Sequence, residues 1–325
     1  MEAIMSNVVS LFNPSAATNA TMGERLSLME QLERKGIFYT VEGRENLTYD
    51  NDGKIIATGK KTIFNATNNT VLGVMGEGYN IVQNEKIFEA FNRVIAKSNI
   101  NLEGAYTRCK THKAGQKAMV EYVFPALKKE VKVGDAVAPS IVAINSFDGT
   151  GSFHVRFGLY RLICLNGMIM GSTVFEYKKN HTKDLSVDFA ADVIYRGIQC
   201  YESGINNLKK QTTTPVTDQT VYLALAELSG FDKADFSLAP TYADYLAKMR
   251  PLTKRPPALD AYMALWGKYS TELGNTEWAL HNVMTHISTH GKGFAYDTKN
   301  SVTDRLKKEN LMGVILNRYG MALAA

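Results

Sequence analysis

From Phe153 to Leu159 every second residue is bulky and apolar (Phe153, Val155, Phe157, Leu159), while His154, Arg156 and Tyr160 take the opposite parity. A two-residue period of this length admits a half-buried strand and excludes a helix, whose period is 3.6. The strand reads from Ser152 to Cys164, with Ser140–Asn145 upstream as its hairpin partner. Phe147-Asp148-Gly149-Thr150-Gly151 joins them, its Asp-Gly and second Gly permitting positive φ. A second hairpin pairs 105–110 with 117–124 across Ala114-Gly115, placing Tyr106, Arg108 and Lys110 on one face. A chain organised around such hairpins needs an antiparallel sheet and something to cover one face of it.

Helical spacing flanks these hairpins. Leu26, Met29 and Leu32 predict a helix over 23–35. Short β-type runs then follow from Ile37 to Met75, with turns at Asp52-Gly53 and Thr58-Gly59. Asn84 is placed to cap a helix running to Lys97, whose apolar face is Ile87, Phe88, Phe91, Val94 and Ile95. After Lys183 one apolar stripe runs from Leu185 to Leu208 and ends in Lys209-Lys210, cations suited to a helix C-terminus. Residues 211–215 read as a linker, and helices are expected over 217–228, 241–248, 259–273 and 276–289. The expected class is α+β: an antiparallel, hairpin-rich sheet with packed helices, followed by a mainly helical C-terminal region. The expected units are an N-terminal helical arm (1–35), an α+β core with basic hairpins (36–210) and a helical region (211–325).

Composition removes several classes. Hydrophobic residues are 45% and charged residues 21% of 325, ordinary for a globular protein and unlike a disordered chain. No run of eighteen apolar residues occurs, so no membrane-spanning helix is expected. Glu2 stands where a signal peptide carries positive charge and Asn13-Pro14 interrupts the early apolar run, so a cytoplasmic location is expected. Cys109, Cys164 and Cys200 form no close pair and read as buried thiols in a reducing compartment. No metal, cofactor or catalytic motif emerges. His281, His286 and His290 are spaced by five and four without an intervening Glu, and Gly73-Val-Met-Gly76-Glu-Gly78 lacks phosphate-loop spacing.

Charge is the positive signal. Twelve Lys and Arg face five acids between Gly104 and Lys183, an excess of seven in a chain whose net charge is +5. A basic middle of this kind fits a polyanionic partner, and a solvated surface balanced by acids elsewhere is the alternative. An exposed sheet face bearing Arg, His and Tyr is suited to tracking phosphates and stacking bases. Arg108, Lys110, Lys113, Lys117, His154, Arg156, Arg161, Lys178, Lys179 and Lys183 are the expected phosphate contacts. Tyr106, Tyr160 and Tyr177 are the expected stacking residues. Arg161 is alternatively a structural cation buried against Asp148 or Glu176.

Gly134-Asp135 followed by Pro139-Ser-Ile-Val-Ala-Ile-Asn-Ser-Phe-Asp-Gly-Thr-Gly-Ser152 resembles the "NSHDGSS" hairpin of the phage/plasmid-like proteins known as domain of unknown function 932. Val155-Arg-Phe with Arg161-Leu-Ile-Cys-Leu-Asn-Gly167 is similar to that family's "RFTPVRVVCQN" strand, and Tyr177-Lys-Lys-Asn-His-Thr-Lys183 to its "RIRHT" segment. Leu72-Gly-Val, Tyr79-Asn-Ile-Val-Gln-Asn84 and the Asn275-Thr-Glu-Trp segment add to the likeness. Phe147 departs from it, standing where the family carries His, which weakens any chemical role for that position. The resemblance implies a phage or mobile-element origin, and with it replication, recombination or counter-defence. By topology and charge the chain is also similar to phage single-strand annealing proteins. The leading expectation is a non-enzymatic protein that binds single-stranded DNA or RNA as a homo-oligomer in the host cytoplasm. The alternatives are a counter-defence protein that binds a host protein, and a self-assembling structural protein.

Overall fold

The computed structural model describes residues 27–97, 101–162, 166–169, 176–182, 194, 196–252, 258–290 and 301–321. The strands alternate as the sequence period requires, and they form two antiparallel sheets. β1 (Val41–Tyr49), β2 (Ile55–Asn65) and β3 (Thr70–Gly76) make a three-stranded meander. The larger sheet is built from β4 (Tyr106–His112), β5 (Lys117–Val123), β6 (Lys129–Lys132), β7 (Asp135–Ser146), β8 (Phe153–Arg161), β9 (Asn166–Ile169) and β10 (Glu176–Lys179). Its order is β10-β8-β7-β5-β4, with β6 on β7 and β9 on β8. The β7–β8 hairpin forms as expected, from Ile144 opposite His154 to Val137 opposite Arg161.

The helices are α1 (Leu28–Arg34), α2 (Asn84–Lys97), α3 (Tyr201–Gln211), α4 (Asp218–Ser229), α5 (Lys233–Leu238), α6 (Ala258–Leu273), α7 (Glu277–His290) and α8 (Ser301–Arg318). Local chemistry sets several ends. Ser27 and Glu30 form a reciprocal capping box on α1, Thr217 caps α4, and Gly230 at φ 103° stops it. The fold is α+β, with a helical C-terminal region. Two expectations are corrected. Asn84 is the first residue of α2 and not its cap: its amide donates to the Ile37 carbonyl and accepts from Asn145. The helix expected over 241–248 is a single turn, Tyr242–Asp244, followed by the wider turn Tyr245–Met249. Of the stripe between Leu185 and Leu208, Leu185, Phe189 and Val193 lie outside the described residues, while Ile194, Ile198 and the three positions in α3 pack in the main core.

One face of the large sheet meets the core. Val120, Tyr122, Ile141, Phe153, Val155, Phe157 and Leu159 pack in one apolar cluster with Phe88 and Phe91 of α2, Leu208 of α3, Leu225 of α4, Trp278 and Val283 of α7, and Ile315 of α8. Phe91 lies parallel to Tyr122 with centroids 6.1 Å apart. A smaller cluster of Tyr39, Val41, Ile63, Leu72, Met75 and Phe147 seats the three-stranded sheet beside the β7–β8 turn. Phe147 is thus a core plug, edge-on to Tyr39.

Arg161 joins sheet to helices. Its guanidinium, 1% exposed, donates from Nε and Nη2 to the two Asp135 carboxylate oxygens at 2.6 and 2.7 Å. The Trp278 indole N–H donates to the same carboxylate at 2.9 Å, and the guanidinium lies 5.7 Å from the Trp278 ring centroid. Arg161 is therefore structural, with Asp135 as its bidentate partner in place of the expected Asp148 or Glu176, and Glu272 at 3.8 Å beside it. Replacing Asp135 with Ala leaves a buried cation without its bidentate partner, so denaturant unfolding is expected to show a loss of about 3–5 kcal/mol. A loss below about 1 kcal/mol refutes this account.

Two of the helix histidines make structural contacts, and the side chain of His290 lies outside the described residues. His281 donates from Nδ1 to Gln211 Oε1 at 3.0 Å, whereas His286 meets the Tyr269 hydroxyl. Burial pushes the His281 pKa down from 6.5 to about 4. The unfolded chain therefore binds the proton that the folded chain refuses. Stability is fully present above about pH 6.5 and falls by about 1.4 kcal/mol per pH unit between there and about pH 4. Stability profiles of the wild type and His281→Gln check this, since the variant's slope is expected to be shallower over that interval.

Candidate interaction surfaces

The face of the large sheet opposite the core carries the side chains that the sequence singled out. Cross-strand register places Arg108, Glu121, Val142, Arg156 and Glu176 in one row, and Lys110, Met119, Ile144, His154 and Lys178 in the next. The parity is as expected; the exposure is not. All nine positions of β8 are buried, including His154, Arg156 and Tyr160. The expected solvated basic face is corrected to an internal charged layer.

At Arg156 the physical reason is α8, a helix outside the periodicity-based expectations. Arg156 donates to Glu309 at 3.4 Å and to Asn310 at 2.5 Å, both on this helix, and its Nε donates to His154 at 3.0 Å. Met312, Ile315 and Leu316 anchor α8 in the core, and their helical spacing with Leu311 was the available signal. Arg108 pairs with Glu121 at 3.4 Å, donates to the Tyr160 hydroxyl and stacks 5.2 Å from that ring's centroid. Lys117 is buried and lies 3.7 Å from Asp148. Lys110 is buried as well. Tyr106 packs half-buried against Val123, Ala138 and Tyr160. Of the expected contacts, Tyr177, Lys178 and Lys179 on the terminal strand β10 still reach solvent. Lys183 and the side chain of Lys113 lie outside the described residues.

At the loop end of this sheet, three segments meet. The Tyr79 hydroxyl donates to the Ser146 carbonyl at 2.8 Å, and its ring stacks on His181 with centroids 5.2 Å apart. The Asn145 amide donates to Asn84 and to the Val82 carbonyl, and the Asn80 N–H donates to the His181 carbonyl. Asp148 Oδ1 accepts from Ser146 Oγ, Thr150 N and Thr150 Oγ1 at 2.7–3.0 Å. Burial raises the Asp148 carboxyl, but these hydrogen bonds and Lys117 outweigh it and hold the pKa below the ordinary value. The pKa of His181 is lowered by burial, with the Asn80 carbonyl opposing. Asp148 spends its acceptors on its own turn, which makes it a loop clamp.

A different surface, unmarked in the sequence reading, stands out by exposure. β1 and β2 run past the end of β3, which pairs with β2 only from Lys60 to Asn65. Register pairs Gly43 with Ile63 and Glu45 with Lys61, and, after a bulge in β2 between Lys61 and Ala57, Leu47 with Ala57 and Tyr49 with Ile55. The root of that pairing, Val41 and Ile63, is buried. Its outer half is not: Leu47 is 54%, Tyr49 71% and Ile55 57% exposed. Val71 and Val74 add exposed apolar area on the opposite face of the meander. The segment 41–76 carries four cations (Arg44, Lys54, Lys60, Lys61) and four acids (Glu42, Glu45, Asp50, Asp52), so it is neutral.

The sheet, its internal ion pairs and its turn clamps define an α+β protein built on paired hairpins. The chain belongs to the family described as Domain of unknown function (DUF932), whose model matches residues 71–310. β1 and β2 precede the matched region. Two curated relatives from Escherichia coli strain K12 are similar over 59 residues: the UPF0380 protein YafZ, 34% identical, and the UPF0380 protein YfjQ, 32% identical. Each alignment covers 18% of this chain, which therefore spans 22% of the length of either relative. No solved structure matches the chain. The motif segments behind the family resemblance prove to be the clamps: Asp135, Arg161 and Trp278 at one end of β7–β8, and Tyr79, Asn84, Asn145, Asp148 and His181 at the other.

The seat of the meander has a sharp geometric requirement. Gly115 adopts φ +107°, and a Cβ there meets the Tyr39 ring at 2.9 Å, while the Tyr39 hydroxyl donates to the Gly115 carbonyl. Gly115→Ala is expected to cost about 1–3 kcal/mol in thermal or denaturant unfolding. Gly104→Ala, at positive φ but with nothing within 4 Å, is expected to cost less. Equal losses in the two variants count against the Tyr39 contact as the cause.

Proposed function

We propose that this chain is a non-enzymatic binding protein that docks a protein partner through the projecting arm formed by β1 and β2. The observation that carries the reading is the exposed apolar row of Leu47, Tyr49 and Ile55 on a segment of zero net charge. Contiguous exposed apolar side chains favour a desolvating protein interface. A neutral arm lacks the excess cations through which nucleic-acid affinity arises by counterion release. The internal pairing of Arg108, Lys117, Arg156 and Arg161 also supports a move away from the basic sheet face as a phosphate-tracking surface.

A second reading keeps single-stranded nucleic acid as the partner at β10. It is favoured by Tyr177, Lys178 and Lys179 on a terminal strand of the sheet, Lys178 exposed on the outer face and Tyr177 and Lys179 half-buried on the other. Base stacking with phosphate contacts is the chemistry that such a trio supplies.

One paired experiment tests both. Proteins captured from a nuclease-treated bacterial lysate are compared for the wild type and a Tyr49→Glu/Ile55→Glu double variant, self-capture being scored with tagged and untagged copies. Selective loss of capture in the variant is expected. Unchanged capture overturns the arm as the docking surface. Anisotropy of a fluorescent single strand of about 40 nucleotides at two salt concentrations addresses β10: salt-sensitive binding abolished by Lys178→Glu/Lys179→Glu shifts the assignment to nucleic acid.

A further inference from the structure

We infer that the partner seated on this arm is a second copy of the chain, paired strand to strand along β1 about a two-fold axis through Leu47. The inference rests on the arm being a docking surface and names its occupant.

The arm is incomplete as it stands. Among the described residues β1 is an edge strand whose backbone is met outside β2 only at Val41, by the Gln83 amide, and beyond Lys60 β2 has no strand neighbour except β1. A two-stranded ribbon in water is marginal, and an open edge presents unpaired backbone N–H and C=O groups to any strand that fits. Beyond a register shift between Glu45 and Leu47, Leu47 opposite Ala57 and Tyr49 opposite Ile55 carry apolar side chains past the small cluster that covers the root of the arm. The arm thus offers a backbone edge and an apolar face together, and an added strand satisfies the first while its side chains cover the second.

Charge and register select a second copy as that strand. Antiparallel pairing of β1 with itself centred on Leu47 sets Leu47 against Leu47, Asn46 against Thr48 and Glu45 against Tyr49. One step further, Arg44 of each copy faces Asp50 of the other. A centre at Glu45 opposes two like charges, which destabilises cross-strand pairs. A centre at Asn46 sets Glu42 against Asp50, two like charges, and one at Thr48 leaves a ladder of only three strand residues. The Leu47 register alone merges the Leu47, Tyr49, Ile55 and Ala57 side chains of both copies into one strip. Closed two-fold pairing of this kind is isologous: each arm is both donor and receptor. Because the arm is neutral, bringing two together meets no net repulsion.

The test is the mass of the full chain in solution, by sedimentation or light scattering, over about 1–200 µM (the span in which a small interface of this class dissociates). A concentration-dependent dimer is expected for the wild type. Leu47→Lys/Ile55→Lys is expected to raise the dimer dissociation constant at least about tenfold. Both positions are solvent-exposed in the single chain, so thermal unfolding measured at a concentration where both proteins are monomeric is expected to be unchanged and to show that the variant is folded. A wild-type chain that stays monomeric throughout, or a variant that dimerises like the wild type, overturns the inference. Monomeric wild type with arm-dependent capture of a different protein removes self-pairing while leaving the docking surface in place. Capture that ignores arm substitutions removes the docking surface itself.

Discussion

The contact on which the architecture turns is the two-point grip of Asp135 on the Arg161 guanidinium, closed from the helical side by the Trp278 indole. Asp135 opens β7, Arg161 ends β8 and Trp278 lies in the first turn of α7. Three segments distant in sequence are thereby fixed at one point. A planar guanidinium satisfied by a carboxylate in plane and an aromatic face beside it has little freedom left. Such a node confers register more than raw stability, because desolvating both charges offsets much of their attraction. It sets which end of the hairpin the helical region covers.

At the opposite end the clamps are neutral or satisfied within their own loop. Asn145 bridges β7 to Asn84 and to the chain before α2, and Tyr79 and His181 stack across the gap to β10. Phe147 then plugs the three-stranded sheet against the large one. The hairpin β7–β8 is thus held at both tips while its faces take opposite fates. One packs the main core. The other carries a charged layer whose ion pairs run across strands and up to α8. The arm is the element left outside this scheme: its root is held by Tyr39, Val41 and Ile63, and its outer half extends past every described neighbour that could cover it.

Much of the local structure was legible in the residues. The period-two run at 153–159, the Asp-Gly turn, the apolar stripe of α2 and the helices at 217–228, 259–273 and 276–289 correspond to elements within a few positions. The parity that gathers Arg108, Lys110, His154 and Arg156 on one face was legible too. The fate of that face was not, because alternation says which residues share a side and nothing of what lies above them. A cation paired with Glu309 from 153 positions away has the same one-dimensional signature as a cation in water. The arm shows the converse error: β1 reads as a polar, weakly patterned stretch, so its exposed Leu47 and Tyr49 gave no signal until β3 was seen to stop short of them.

The sequence alone therefore determined the α+β class, the hairpins, several of the helices and the family resemblance, since these follow from periods of 2 and 3.6, turn chemistry and short motifs that local sterics enforce. Only the tertiary structure decided that Arg161 belongs to Asp135, that the basic window is mostly internal, and that the open apolar surface is the β1–β2 arm. Burial and charge pairing are properties of what approaches a residue through space. A chain of 325 positions leaves that choice open until the fold has closed and α8 has brought Glu309 to Arg156.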